Sequence, residues 1–334
     1  MKIIMSSDWH IGIGQENSIW LNTTIKLAKE ICSVAHEHNI EYIVILGDIF
    51  DNKKVITQKS LAVAVEIFAK ILADHKILLL KGNHDTYYKN QDEPNWLSSL
   101  FSKYENITLV TSAIYNIENL YFVPWGKDIK TIPDDVYLFG HFEINNFEMN
   151  DKFISYNATF HSNMFSRFKH VYTGHFHLSQ SRNNITYLGT PFQHRFDEVK
   201  MPRGYYILDT VNDDREFIEF LGAPKFEIMY TDNIVPEKVF GNIVKLVFKK
   251  DYGSIKNHGI IEKAISFGPL ILSTDTTLFS MDDIKCEELD EPVSIKTPEE
   301  MLHIYVEQTL PKRFNQTTMK KITNAFLKEL NDRI

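Results

Sequence analysis

Five short motifs carry the residues with the most chemical potential: Asp8-Trp9-His10, Gly47-Asp48-Ile49-Phe50-Asp51, Gly82-Asn83-His84-Asp85, Gly140-His141 and Gly174-His175-Phe176-His177. Every one offers Asp, Asn or His, the donors of a mixed oxygen–nitrogen metal site. The glycines permit tight turns and let a ligand approach the backbone. Two cations about 3.5–4 Å apart can share a carboxylate, acidify a water and draw charge from phosphoryl oxygens in an in-line displacement. A leaving alkoxide also needs a proton or a positive partner, and an uncoordinated histidine suits that task. Asp-x-His alone arises often by chance. Gly-Asn-His-Asp after an apolar run is a strong signal, and the five motifs in this order are stronger still.

Each motif follows a candidate strand. Residues 2–6, 42–46 and 77–80 are short apolar runs stopped by Ser7-Asp8, Gly47-Asp48 and Gly82-Asn83. Between them, residues 18–38 have helical spacing, with Ile25, Ala28, Ile31, Cys32 and Ala35 on one face, and residues 57–74 read as a second helix. This alternation predicts an α/β fold with a mainly parallel sheet flanked by helices. Such a sheet collects functional groups at the carboxyl ends of its strands. Further strands are expected at 121–123, 136–139, 170–173, 186–188 and 205–208. Residues 225–274 look like a small separate α/β unit, with strands near 226–230, 243–248 and 269–273 and a helix near 255–267. An acidic, patternless stretch at 281–291 reads as a linker. Thr297-Pro298-Glu299-Glu300 then resembles a capping box opening a helix that carries Met301, Ile304, Tyr305 and Leu310. A last amphipathic helix from about 317 aligns Met319, Ile322, Phe326, Leu327 and Leu330.

The motif set resembles that of the calcineurin-like metallophosphoesterases. More narrowly, Ser7-Asp8-Trp9-His10-Ile11-Gly12, the Gly47–Asp51 and Gly82–Asp85 motifs, Tyr187-Leu188-Gly189-Thr190-Pro191 and Phe196-Asp197-Glu198 are similar to the SbcD-type nuclease subunits of double-strand-break repair complexes. The tailed-phage recombination endonuclease subunits are most alike in size and layout. The clear resemblance covers about residues 1–210. It implies a metallophosphoesterase β-sandwich flanked by helices, with a small α/β capping domain and C-terminal helices. It implies that Asp8, His10 and His177 hold one metal, that Asp48 bridges, and that Asn83, His141 and His175 complete the second. His84 would be the uncoordinated acid or transition-state stabiliser, and Asp85 would orient it. Two Mn2+ are the implied cofactors, with Mg2+ as the alternative. The implied activity is DNA exonuclease and endonuclease cleavage in phage recombination, replication and repair. The implied partners are DNA, a second copy of the chain and an SbcC-type ATPase docked on the C-terminal helices. The corresponding layout is a nuclease domain over 1–222, a capping domain over 223–278, an acidic linker over 279–296 and partner-binding helices over 297–334. Some members carry His where this chain has Asp51, so Asp51 stays open between a helix cap and a support for the ligands.

Bulk properties narrow the classes. The chain has 334 residues, 43% hydrophobic, enough for a sizeable core and more than one domain. A net charge of -8 argues against binding nucleic acid by bulk charge alone, but not against gripping phosphate through bound cations. The 2 cysteines, Cys32 and Cys286, are far apart and outside any Cys-x-x-Cys pair, which argues against disulfides and zinc-thiolate sites. No leader is evident in the first residues, and the apolar runs are too short to span a bilayer, so the expected location is the cytoplasm, the host's if phage-encoded. His36, His38, His75, His258 and His303 read as surface residues, and His161 and His170 as structural. His194 follows the Gly-Thr-Pro turn without an assigned role. Lys53-Lys54, Arg195 and Arg203 suit either phosphate contact or solvated loops, and the apolar stripe of Ala62, Val65, Ala69 and Leu72 suits either core or a dimer face. Tyr87 and Tyr88 are well placed to meet substrate. Two rival functions use the same residues: a phosphatase or nucleotide phosphodiesterase, and a metal-binding scaffold without catalysis.

Overall fold

The alternation of apolar side chains along the first strands faces both ways, and both faces are covered. The structure, a computed structural model, describes residues 1–278 except 89, 90, 151, 152, 157 and 200. One sheet has the strand order Asp214–Glu219, Gly204–Asp209, Lys2–Ser6, Tyr42–Ile45, Lys76–Leu80, Ile107–Val110. Its last four strands are parallel and its first two join antiparallel. The second runs Gln180–Arg182, Ile185–Tyr187, His170–Gly174, Tyr137–His141, Leu120–Val123, Tyr115–Ile117, with a parallel centre and an antiparallel strand at each edge.

Three cores follow from this layering. Ile4, Ile43, Ile45, Ile77 and Leu79 point from the first sheet into one cluster with Leu27, Ala28, Ile31 and Phe68 of the helical layer. Their strand neighbours Met5, Val44, Leu46, Leu78 and Leu80 point the other way and meet Phe122, Tyr137, Phe139 and Tyr172 of the second sheet. Leu138, Val171 and Tyr187 on the far face of that sheet pack with Phe142, Phe147 and Phe165. Burying each large apolar side chain contributes roughly 1.5–3 kcal/mol, so a strand buried on both faces is fixed firmly in register. The register matters because the strand ends carry the motifs.

The sandwich of two mixed sheets is the one that the family resemblance implies, and it goes beyond the mainly parallel sheet that periodicity predicts. Both faces of each sheet are apolar, so the pattern alone does not tell one sheet from two. The expected second helix is also divided. Gln58–Glu66 is α-helical, and Ile67–Ile71 widens to a π-helix in which the Leu72 amide bonds the Ile67 carbonyl at 2.9 Å. The extra residue rotates the stripe so that Ile67, Phe68 and Leu72 all reach the core. The chain then turns through His75, which is 6% exposed rather than on the surface. The strand Asp214–Glu219 escapes the periodicity reading because it is an exposed, charged edge.

Strands Phe226–Tyr230, Ile243–Val247 and Ile271–Asp275 form a third, parallel sheet with the helix Ser254–Ser266 between its last two strands. It belongs to the same compact unit, and Phe226 packs on Trp20 and Phe196. The expected linker and the C-terminal helices lie outside the described residues. Among the described residues, no helix is long and apolar enough to cross a membrane.

Candidate metal centre

The carboxyl ends of five parallel strands, three from one sheet and two from the other, bring the motifs together. Asp8 and His10 follow Lys2–Ser6, Asp48 follows Tyr42–Ile45, and Asn83 to Asp85 follow Lys76–Leu80. His141 ends its strand, and His175 and His177 follow His170–Gly174. Asp8, His10, Asp48 and His175 all have left-handed backbone, with φ of 54, 45, 52 and 94°. Such conformations cost about 1–3 kcal/mol each outside glycine and cluster where function requires them. Gly47 serves close approach: a side chain there would meet His141 Nδ1 at 2.5 Å and Gly82 Cα at 2.8 Å.

Asp48 sits between two groups of donors. On one side, Asp8, His10 and His177 offer ligand atoms within 4.8 Å of one another; on the other, Asp48, His141 and His175 do the same. His10 Nε2 is 3.8 Å and His141 Nε2 is 3.4 Å from the same carboxylate oxygen, Asp48 Oδ2. Asp48 Oδ1 accepts from the His84 amide at 2.8 Å. Asn83 Oδ1 lies 3.0 Å from His141 Nε2 and 2.8 Å from His175 Nδ1. Thus all seven residues expected as ligands share one site.

The donor set fits cations. Ligand atoms at right angles around an ion, with bonds of about 2.1 Å, lie about 3.0 Å apart. The Asn83, His141 and His175 atoms already have that spacing. Both ring nitrogens of His10 are buried without a hydrogen-bond partner, an arrangement that is costly unless a lone pair is used elsewhere. His141 Nδ1 donates to the Leu46 carbonyl at 2.7 Å, which leaves Nε2 as the inward atom.

Electrostatics express the same crowding. Burial would raise Asp48, but facing His141, His10 and His84 hold it far below the carboxylate range. Burial opposes a charge on His141, yet Asp48 and Asp8 push it up to about 9. Burial and the neighbouring His141 push His175 down to about 3. Bound cations would supply positive charge at these donors in place of this proton-mediated compromise.

The residues around the ligands differ in part from expectation. His84 Nδ1 donates to the Asp51 carbonyl at 2.5 Å, and Asp51 Oδ1 lies 3.4 Å from His10 Nδ1. Asp51 therefore supports the site. Asp85, expected to orient His84, instead accepts from the amides of Asp48, Ile49, Phe50 and Gly82 at 2.8, 3.0, 3.4 and 2.8 Å. It ties two site loops together, while burial and then the Asp48 charge push it up to about 7.

Glu198 and Trp125 have no role assigned from the sequence, and Arg203, expected at a phosphate contact or in a solvated loop, is 5% exposed and turned inward instead. Glu198 Oε1 takes a 2.9 Å contact with His177 Nδ1, and its Oε2 accepts from the His194 amide at 2.8 Å. Arg203 is buried and donates to the His177 and Glu198 carbonyls. Trp125 lays its ring against His175, centroids 5.1 Å apart. Only Glu198 had a local signal, in Phe196-Asp197-Glu198. A cleft of about 230 Å³ opens over the centre, lined by His10, Asp51, His84, His177, Arg195 and Glu198 among others. Tyr87 and Tyr88 are exposed and pack on each other, centroids 4.7 Å apart.

A family model described as calcineurin-like phosphoesterase matches residues 1–200. The chain is 30% identical over 231 residues to "Exonuclease subunit 1" of Enterobacteria phage T4, covering 65% of this chain and 67% of that protein. It is 23% identical over 289 residues to the SbcD nuclease subunit of Staphylococcus epidermidis, covering 72% of this chain and 75% of that protein.

Proposed function

This chain belongs to the calcineurin-like phosphoesterase family, and we propose that it is a metal-dependent nuclease hydrolysing phosphodiester bonds in DNA. The observation that carries this reading is the convergence of seven oxygen and nitrogen donors around Asp48, with His84 beside them. The names of the two relatives, an exonuclease subunit and a nuclease subunit, support DNA as substrate and a partner subunit.

Asp8, His10 and His177 would hold one cation, Asn83, His141 and His175 the other, and Asp48 both. The bound pair supplies positive charge against the phosphoryl oxygens and makes attacking water more acidic. Four of the seven proposed ligands are histidines, which favours Mn2+ over Mg2+. The Asp51 carbonyl fixes one ring nitrogen of His84. That leaves Nε2 to face the phosphoryl group and give a proton, or positive charge, to the leaving oxygen. Asp85 holds the Asp48 and Gly82 loops in register, so it acts as a positioning residue. Arg195, on the cleft wall, suits a phosphate contact.

Residues 1–222 form the nuclease domain and 223–278 cap it, shaping access of DNA. Beyond residues 279–296, which lie with 297–334 outside the described residues, the segment 297–334 docks an SbcC-type ATPase through its apolar residues Met319, Ile322, Phe326 and Leu330. The working form is a homodimer in recombination, replication and repair.

The test is cleavage of single- and double-stranded oligonucleotides with Mn2+ or Mg2+, with and without the ATPase partner, beside small phosphomonoesters. Oligonucleotide cleavage that is fastest with Mn2+ is expected. Turnover of small phosphoesters with DNA left intact in every condition would overturn the reading in favour of a phosphatase. Removing residues 297–334 is expected to spare cleavage by the chain alone and release the ATPase. Co-purification of the truncated chain with the ATPase would contradict the docking assignment.

A further inference from the structure

A second cluster of metal-binding side chains lies in the helical layer. Cys32 and His36 stand one turn apart on the helix Ser18–Glu37, so they share a face. His75 reaches them from the turn after the π-helix Ile67–Ile71. Cys32 Sγ is 3.7 Å from His36 Nδ1 and 3.9 Å from His75 Nε2, and the two imidazole centroids are 4.7 Å apart. The three donor atoms all lie within 4.8 Å of one another.

This spacing is close to that of a tetrahedral zinc site. With Zn–S of about 2.3 Å and Zn–N of about 2.0–2.1 Å, sulfur and nitrogen ligands lie about 3.6 Å apart. The support around the ligands also fits. His75 is 6% exposed, so its ring is held in place by the packing around it. Cys32 is half-buried, and its thiol donates to the Ile71 carbonyl at 3.1 Å, a bond given up when the thiol proton leaves on metal binding; His36 is exposed and able to close over an ion. The Ile71 carbonyl belongs to the π-helix, a deviation common at functional sites.

We propose that Cys32, His36 and His75 bind one zinc ion, with water in the fourth position. Cys32 loses its thiol proton to solvent as the S–Zn bond forms, and no electron is transferred. The ion ties the end of the helix Ser18–Glu37 to the turn that feeds strand Lys76–Leu80, whose end carries Asn83 and His84. The site stands whether or not the nuclease reading holds, because it uses none of that centre's residues.

Cobalt(II) titration of the full chain tests this, because a thiolate–cobalt charge-transfer band cannot come from the Asp, Asn and His donors around Asp48. The band should saturate at one thiolate-bound cobalt per chain and be bleached by zinc. It should persist in Cys286→Ser and in Asp48→Asn, and be lost in Cys32→Ser and His75→Gln. His36→Gln alters an exposed side chain, so folding is spared, and it should weaken or abolish the band. Zinc should raise the melting temperature more in Asp48→Asn than in the double variant Asp48→Asn with Cys32→Ser, a comparison that sets aside the centre around Asp48. A wild type without the band, or a band that survives Cys32→Ser or is indifferent to both histidine changes, overturns the proposal.

Discussion

The two halves of the centre around Asp48 are held by different means. The half containing Asn83, His141 and His175 is fixed by backbone. His141 ends a strand, its Nδ1 is bonded to the Leu46 carbonyl on the other sheet, and its side chain is fully buried. In the half containing Asp8, His10 and His177, the Asp8 carboxylate accepts from the His175 amide, but the two histidines lean on side chains. Glu198 holds His177 at 2.9 Å, Asp51 approaches His10 at 3.4 Å, and the His177 side chain is 21% exposed. The first half should therefore fail only when the sandwich fails, whereas the second can be tuned by one carboxylate. Both halves reach the cleft where His84 and Arg195 stand, through His10 and His177 on one side and His175 on the other.

The largest effect is expected where the halves meet. Asp48→Ala removes the shared carboxylate and should abolish paired metal binding and lower oligonucleotide cleavage by about 10⁴-fold or more. Two tightly bound ions in that variant, counted by mass spectrometry of metals, would deny Asp48 its bridging place. His84→Gln should separate chemistry from binding: metal content unchanged, kcat down by about 10²–10³-fold. Full activity there would remove His84 from the reaction. Glu198→Gln probes the difference between the halves directly. Affinity for one of two ions should fall about 10–100-fold while the other is unchanged, as read by calorimetric titration. Equal weakening of both would erase the distinction.

The smallest effect concerns support behind the half that contains Asn83. Lys81, next to Gly82, is buried and its ammonium lies 2.6 Å from Asp92, which also bonds Lys127 at 2.6 Å. Burial pushes Asp92 up, but the hydrogen bonds from Lys127 and Lys81 outweigh it and hold the carboxyl below its usual range. A depressed carboxylate stabilises fully above its unfolded pKa of about 3.9, and that stabilisation is lost as pH falls through the folded value. Asp92→Asn should cost about 1–3 kcal/mol near neutral pH, below the figure for a wholly buried pair because the carboxylate is 33% exposed. The difference in melting temperature from wild type should close in acid. A gap that is constant from pH 7 to pH 3 would mean that the charge of Asp92 is not what stabilises.

The candidate ligands were legible because each is local to a strand end. A short apolar run stopped by Gly-Asp or Gly-Asn-His marks both the strand and the residue it delivers. His84 was legible for the same reason, but its hydrogen-bond partner was not. Asp51 and Asp85 both sit near His84, and sequence spacing does not say that a carbonyl of the first, rather than the carboxylate of the second, meets its ring. The π-helix at Ile67–Ile71 was invisible because one inserted residue leaves composition and apolar content unchanged.

The sequence by itself determined which side chains meet around Asp48, the strands that carry them and the alternation that buries both faces of those strands. These depend on neighbours along the chain, where steric and hydrophobic preferences are short-ranged. The tertiary structure alone decided which strands pair in each sheet, that Glu198 and Arg203 stand behind His177, and that His75 lies buried against Cys32 and His36. Those are pairings between distant segments, and their geometry exists only after the whole chain has packed.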